Sequence, residues 1–109
     1  MNKADDSVSA PALPPRTLEE ALVSARALLT EADREVLRTS SQEEAGWRLH
    51  FTLGHSLRNE LKLWSSGTWP LFDDLTDKVP GHLVLDADAA SAALIATLWL
   101  EERANAGEQ

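Results

Sequence analysis

Apolar residues recur at helical spacing along most of the chain. After Thr17, which opens a Thr-Leu-Glu-Glu capping box, they lie three and four residues apart through Leu29. A second helix start at Thr30 predicts a short helix to about residue 38. Ser40 or Ser41 can then cap the helix that follows. The pattern therefore predicts three helix starts within the first half of the chain.

The longest predicted helix covers residues 42–64, before the Ser-Ser-Gly break. At about 100° per residue, four leucines and Trp64 fall within one arc of roughly 120° around this helix. The leucines, which are expected to be buried, are Leu49, Leu53, Leu57 and Leu61. His50 falls inside this arc, and apolar residues continue around about half of the circumference. Gly54 in the helix interior costs about 1 kcal/mol relative to alanine. We therefore expect this helix to be central and to be crossed closely at Gly54.

The last third of the chain predicts two more helices. Pro70 suits the first turn of a short helix over residues 69–75, and residues 77–84 form a loop. Asp86 can cap the final helix, with Asp88 in its first turn. The buried stripe of that helix is Leu94, Ile95 and Leu98. Residues 82–85 are the only strand candidate, and a lone strand needs a partner. The fold class is all-α, a compact bundle of four to five helices.

The chain divides into a tail, one domain and a short end segment. Residues 1–15 hold Pro11, Pro14 and Pro15 without periodicity, which predicts a disordered tail or one docked only at Leu13. Residues 16–104 form a single helical domain, and residues 105–109 are expected to fray. A chain of 109 residues supports one modest core.

Composition narrows the classes of function. The chain has 18 acidic and 10 basic residues and a formal charge of −8, which disfavours nucleic acids and anionic membranes as partners. It contains no cysteine, so disulfides, thiolate nucleophiles and thiolate metal sites are excluded. The apolar run at residues 89–100 is too short to span a bilayer, and the N-terminus lacks a signal-peptide pattern. We expect a cytoplasmic protein.

No residue set predicts catalysis, a metal or a cofactor. A nucleophilic triad would require a strand-turn-helix arrangement that the pattern lacks. His50 and His55 are five residues apart, about 140° around a helix, so they cannot share a metal ion on one face. The acids between residues 73 and 88 lack the spacing of a calcium loop. We therefore assign no catalytic residue, no metal ligand and no cofactor.

Arg48 and His55 support an alternative hypothesis. An arginine, six intervening residues and then a histidine, in a small all-α domain, resemble the motif of helical ribonucleases of the HEPN type. That resemblance implies a metal-independent ribonuclease in which His55 acts as the acid–base and Arg48 steadies the phosphate. The net acidity argues against RNA unless a local basic patch exists.

Arg58 has two interpretations. Its five N–H donors can tie loop carbonyl groups and a carboxylate such as Asp86 or Asp88 to the helix surface. In that structural role, Arg58→Ala would lower the melting temperature by several degrees. Alternatively, His50, Arg58 and Asn59 face a small ligand or a partner.

The four tryptophans are many for a chain with few other aromatic residues. Trp64 and Trp99 lie on helix faces that are predicted to be buried. Trp69 follows a turn. A second hypothesis is that Trp69, Leu71 and Phe72 protrude and form a binding patch for another protein.

The central segment resembles a family of small bacterial proteins known only as a domain of unknown function. The motif is histidine, three residues, glycine, three residues, arginine-asparagine and then leucine-tryptophan; it falls on His50, Gly54, Arg58, Asn59, Leu63 and Trp64. The resemblance covers residues 16 to about 103. It implies a helical fold, no known activity and a shared set of residues that either stabilises the fold or binds a ligand.

Our leading hypothesis is a non-enzymatic interaction or regulatory module that binds another protein. The acidity of the chain favours a basic partner.

Overall fold

Six α-helices form the part of the chain that the computed structural model describes, which is residues 15–65 and 67–107. They are α1 (Leu18–Leu28), α2 (Glu31–Thr39), α3 (Gln42–Arg48), α4 (Leu53–Glu60), α5 (Trp69–Lys78) and α6 (Ala87–Gly107). No strand occurs within these ranges, so the all-α class is confirmed, with six helices rather than four to five. The predicted tail lies, except for Pro15, outside the described residues.

Local hydrogen bonds set the first three helix starts. The Thr17 hydroxyl accepts a backbone N–H of the first turn of α1. At the start of α2, Thr30 and Asp33 form a reciprocal capping box, with both N···O distances at 3.0 Å. Ser41 and Glu44 form the same box at the start of α3, with both distances at 3.1 Å. These contacts span three residues, which is why the sequence pattern locates them correctly.

The predicted single helix over residues 42–64 is wrong, because the chain leaves helical geometry between α3 and α4. Leu49 is the C-cap of α3, and its carbonyl accepts the Gly54 N–H at 2.7 Å. The carbonyl of His50 is released from the helix and accepts a hydrogen bond from Arg58 Nη2 at 3.2 Å. Other donors therefore satisfy the backbone groups at the break, which lets the helix end without a proline or a glycine at residues 49–52.

A second turn ends α4 before Trp64. Lys62 has a φ of 54°, in the left-handed region. The N–H of Leu63 donates to the Arg58 carbonyl at 2.9 Å, and the N–H of Lys62 donates to the Asn59 carbonyl at 3.2 Å. This pair of bonds is the Schellman arrangement, which reverses the chain at a helix end. The prediction that Trp64 is buried is wrong, since 65% of this residue is exposed.

Helix α6 is the centre of the domain and packs against each of the other five helices. The predicted buried stripe of Leu94, Ile95 and Leu98 is confirmed. Ala90 and Ala93 are also buried, so α6 is apolar around most of its circumference. The expectation that the segment over residues 42–64 is the central helix is therefore wrong. Alanines let neighbouring helices approach α6 on several sides, and this packing decides the centre.

Two helices extend beyond their predicted ends. Helix α5 continues to Lys78, past the predicted end at residue 75. Helix α6 continues to Gly107 and so includes residues 105–107 of the segment predicted to fray. Near the end of α6, Glu102 accepts from Arg34 at 3.1 Å and from Arg38 at 3.2 Å. These ion pairs hold the last turns of α6 against α2.

Candidate functional site

The side chain of Arg58 lies between α4 and α6. The residue as a whole is only 6% exposed. Its Nη1 donates to the Ser91 hydroxyl at 3.1 Å, and its Nη2 donates to the His50 carbonyl at 3.2 Å. Its Nε lies 3.6 Å from a carboxylate oxygen of Asp88, whose side chain is exposed. The guanidinium thus ties the α3–α4 break and the start of α6 to α4.

Gly54 supplies the space that this arrangement needs. A Cβ atom at this position would lie 3.0 Å from Arg58 Nη1 and 3.3 Å from the Leu49 carbonyl oxygen. It would also lie 3.7 Å from the Cδ1 atom of Ile95 on α6. The glycine therefore lets the guanidinium, the backbone of the break and α6 come together, which agrees with the close approach expected there.

The side chains of His50 and Asn59, which the sequence predicts to bind a ligand together with Arg58, make contacts of their own. The His50 residue is half-buried and its ring meets the Phe51 ring edge-on, with centroids 4.8 Å apart, while its backbone carbonyl accepts the hydrogen bond from Arg58. Asn59 is exposed, and its amide nitrogen lies 2.9 Å from His55 Nε2. The structure brings Arg58 and the His50 backbone together, whereas the Asn59 side chain pairs with His55.

The helix break also affects the ribonuclease hypothesis. Arg48 is the last residue of α3, and its Nη1 donates to the Ser40 hydroxyl at 2.6 Å. His55 lies on α4 and pairs with Asn59. The two residues therefore lie on separate helices rather than on the single helix predicted over residues 42–64. Cleavage of labelled RNA, lost in His55→Ala, stays the test of that hypothesis.

A groove lies between the turn that follows α4, the first turn of α5 and the start of α6. Its volume is about 300 Å³, and its lining residues are Leu63, Trp64, Ser65, Thr68, Trp69, Phe72, Asp86 and Ala87. Trp64 is 65% exposed and Trp69 is 58% exposed. The rings of Trp69 and Phe72 meet edge-on with centroids 5.8 Å apart. We call this feature the aromatic groove.

The predicted protruding patch is only partly correct. Trp69 is exposed, but Phe72 is only 5% exposed and Leu71 is fully buried, so these two residues do not protrude. On α5 they lie on the side that packs into the core, whereas Trp69 stands in the first turn. Sequence reasoning missed Trp64 as a groove residue because it placed that residue on a continuous helix. The Ser-Ser-Gly-Thr turn between the two tryptophans was the signal available.

Acidic side chains accompany the tryptophans. Asp86 lines the aromatic groove, and one of its oxygens accepts the Ala89 N–H at 2.8 Å as the cap of α6. Asp73 is exposed and lies one turn along α5 from Trp69, on the same side of the helix. The Arg58 guanidinium carbon lies 6.0 Å from the centroid of the Trp64 ring, and Asp88 is its ion-pair partner. Aromatic faces and carboxylates are therefore presented together.

The start of α1 is fixed to α5, the helix that carries Trp69. The Leu18 N–H donates to an Asp74 oxygen at 2.7 Å, and Lys78 pairs with both Asp74 and Glu19. The hydrogen bond from Leu18, followed by that from Lys78, lowers the pKa of Asp74 from its usual value. The first residue of α1 is thus held beside α5.

Residues 14–101 match a family described as a domain of unknown function, DUF6794, and the match covers most of the chain. The chain belongs to the DUF6794 family. The resemblance to a domain of unknown function is thereby confirmed, while the histidine-glycine-arginine-asparagine motif and a bacterial origin stay predictions. The comparison with curated proteins gave no significant match, and neither did the comparison with solved structures.

The described residues of this DUF6794 chain lack two features. Within residues 15–65 and 67–107, no helix is both long and apolar enough to cross a bilayer. In the same ranges, no three or more histidines and carboxylates cluster closely enough to hold a metal ion.

Proposed function

We propose that this DUF6794 chain is a non-enzymatic protein-interaction module that binds a basic segment of another protein in the aromatic groove. The observation that carries the proposal is the pair of exposed tryptophans, Trp64 and Trp69, on a groove lined by Asp86. A folded domain gains little from leaving two indole rings in water, whereas tryptophan is the residue most enriched at binding hot spots.

The charges favour a cationic partner. The chain carries a formal charge of −8, and Asp73 and Asp86 accompany the two indole rings. An arginine of the partner can stack on a tryptophan ring while it pairs with a carboxylate. Such a cation–π contact contributes about 0.5 to 2 kcal/mol, depending on how far it is shielded from water. The proposal therefore requires both the aromatic rings and the acidic side chains.

A titration with a synthetic peptide tests this proposal. The probe is a labelled peptide with alternating arginine and leucine, and its control carries glutamine in place of each arginine. We expect only the arginine peptide to bind, and we expect its affinity to fall as salt rises from about 0.05 to 0.5 M because screening shortens the range of charge interactions.

Three variants locate the binding surface. Trp69→Ala removes one groove ring, and a hot-spot loss of about 2 kcal/mol corresponds to affinity about thirtyfold weaker. Trp47→Ala is the matched control, because Trp47 is 65% exposed but does not line the groove. Asp86→Asn retains a helix-capping side chain while removing the charge. Equal affinities for wild type and Trp69→Ala, or tighter binding of the glutamine peptide, would contradict the proposal.

A further inference from the structure

We propose that the basic partner segment binds as an extended strand that pairs with the backbone of residues 82–85, next to the aromatic groove. We call residues 82–85, which lie between α5 and α6, the edge segment. The inference rests on the proposed function, because it assigns a binding mode and a side-chain pattern to the same partner. The sequence marks this segment as a strand candidate, and a strand needs a neighbour. The described part of the chain supplies no second strand.

Exposure alternates along the edge segment. Leu83 is 68% exposed, Val84 is 1% exposed and Leu85 is 59% exposed. This period of two is that of extended backbone, in which successive side chains point to opposite faces. Val84 thus holds the segment against the core, while the two leucines form an outward apolar face. An apolar strand edge that is exposed to solvent is a template for pairing with another chain.

The backbone groups of the edge segment point in two directions. The Val84 N–H donates to the Thr76 hydroxyl on α5 at 2.8 Å. In extended backbone, the N–H groups of the two flanking residues point the opposite way, away from Thr76. Within residues 15–65 and 67–107, the N–H and carbonyl groups of Leu83 and Leu85 have no hydrogen-bonding partner. Because buried backbone groups are nearly always paired, these groups face solvent, where a second strand can reach them.

Acidic side chains lie at both ends of the edge segment. At its C-terminal end, Asp86 lines the aromatic groove. At its N-terminal end, His82 lines a second pocket of about 230 Å³ together with Glu43 of α3. His82 and Asp86 are four residues apart, which corresponds to about 13 Å along extended backbone. A partner strand therefore reaches both carboxylates with two arginines that are also four residues apart.

Antiparallel pairing determines the side-chain pattern of the partner. Partner residues directly opposite Leu83 and Leu85 have their side chains on the outward face of these leucines, so apolar residues are favoured there. The residues between them point to the face of Val84, which the period of two also assigns to His82 and Asp86. Arginines on that face point toward the two acidic pockets. The expected partner thus alternates basic and apolar residues.

Charge distinguishes this partner from a second copy of the chain. Pairing two edge segments would bring together two molecules that each carry a formal charge of −8. It would also bring together the acidic side chains that follow each segment, Asp86 and Asp88. Like charges repel in this arrangement, whereas a basic strand is attracted to the same carboxylates.

Two N-methylated forms of the alternating arginine–leucine peptide test the pairing. One form is methylated on the backbone nitrogens of two leucines, which donate to Leu83 and Leu85 in the antiparallel register. The other is methylated on two arginines, whose backbone N–H groups point away from the edge segment. We expect the first form to bind about tenfold more weakly than the unmodified peptide and the second to bind within about twofold of it. Equal affinities of the two forms, or weaker binding of the second, would overturn the inference.

Amide hydrogen exchange measured by NMR on the full chain locates the contact. At saturation with the unmodified peptide, we expect the amides of Leu83 and Leu85 to exchange at least about tenfold more slowly. The Val84 amide is the internal control and should change less, because it already donates to Thr76. Equal slowing at all three residues would overturn the inference. Slowing that grows with protein concentration without peptide would also overturn it, because the occupant would then be a second copy.

The same measurements separate the inference from the proposed function. Peptide binding that Trp69→Ala weakens, without slower exchange at Leu83 and Leu85, refutes the inference alone. The opposite result is slower exchange at these two leucines that is the same with the glutamine peptide and in Trp69→Ala. That result refutes the proposed function, since the edge segment would then bind a strand without regard to its charge or to the groove.

Discussion

Replacing Arg58 by alanine tests whether the buried guanidinium stabilises the fold. The substitution removes the hydrogen bonds to the Ser91 hydroxyl and the His50 carbonyl, together with the ion pair to Asp88. It also leaves a gap beside Gly54, since Arg58 Nη1 lies 3.0 Å from the position of a Cβ there. The change therefore affects the α3–α4 break and the start of α6 together.

The contacts of Arg58 determine the expected magnitude. Each hydrogen bond from a charged donor contributes about 1.5 kcal/mol at the lower end of the usual range. The ion pair to the exposed Asp88 adds little, because solvent screens it. Burial of the aliphatic stem brings the total to about 3 to 4 kcal/mol. For a domain of this size, each 1 kcal/mol corresponds to about 4 to 8 °C in Tm, so we expect Arg58→Ala to lower Tm by at least about 12 °C.

Thermal unfolding followed by circular dichroism measures this change. Arg26→Ala is the matched control. Arg26 makes two side-chain hydrogen bonds, as Arg58 does, but both go to the carboxylate of Glu101 and lie on the surface. An exposed pair contributes up to about 1 kcal/mol, so the control is expected to shift Tm by a few degrees only. If Arg58→Ala lowers Tm no more than Arg26→Ala does, the structural role of the buried guanidinium is refuted.

Three further predictions use local features of the fold. Gly54→Ala should lower the free energy of unfolding in urea, because its Cβ would crowd the Leu49 carbonyl oxygen at 3.3 Å. Gly46→Ala, whose Cβ would have no neighbouring atom within 4 Å, should raise that free energy by up to about 1 kcal/mol. Ser41→Ala should cost about 1 kcal/mol in the same assay, and equal stability would contradict the capping role. The lowered pKa of Asp74 stabilises the fold above the ordinary value of 3.8, and this stabilisation is lost as the pH falls through the lower folded value. Asp74→Asn should therefore unfold with a weaker dependence on pH in that acidic range, and an unchanged acid profile would contradict this.

Much of the candidate site depended on contacts that a sequence pattern does not show. The five donors of Arg58 predicted a carboxylate partner, either Asp86 or Asp88, and the structure places a carboxylate oxygen of Asp88 3.6 Å from Arg58 Nε. The Ser91 hydroxyl and the His50 carbonyl were not predicted as partners. They lie 33 and 8 residues from Arg58 along the chain, beyond the range of helical periodicity.

The position of Trp64 illustrates why the groove was not predicted. Periodicity placed it on the buried arc of a helix that was expected to run through residue 64. The left-handed backbone at Lys62 ends that helix earlier, and a lysine gives no sequence signal for such a turn. Trp64 consequently leaves the core and joins Trp69 at the groove.

The sequence alone determined the helical class and most of the helix starts, because capping residues such as Thr30 and Ser41 act on backbone groups three residues away. The apolar spacing also identified the buried leucines of α4 and α6. Only the tertiary structure decided that α6 is central, that the chain breaks between α3 and α4, and that two tryptophans line one groove. Those features arise where groups distant in sequence satisfy each other, as when Arg58 binds the carbonyl released at His50.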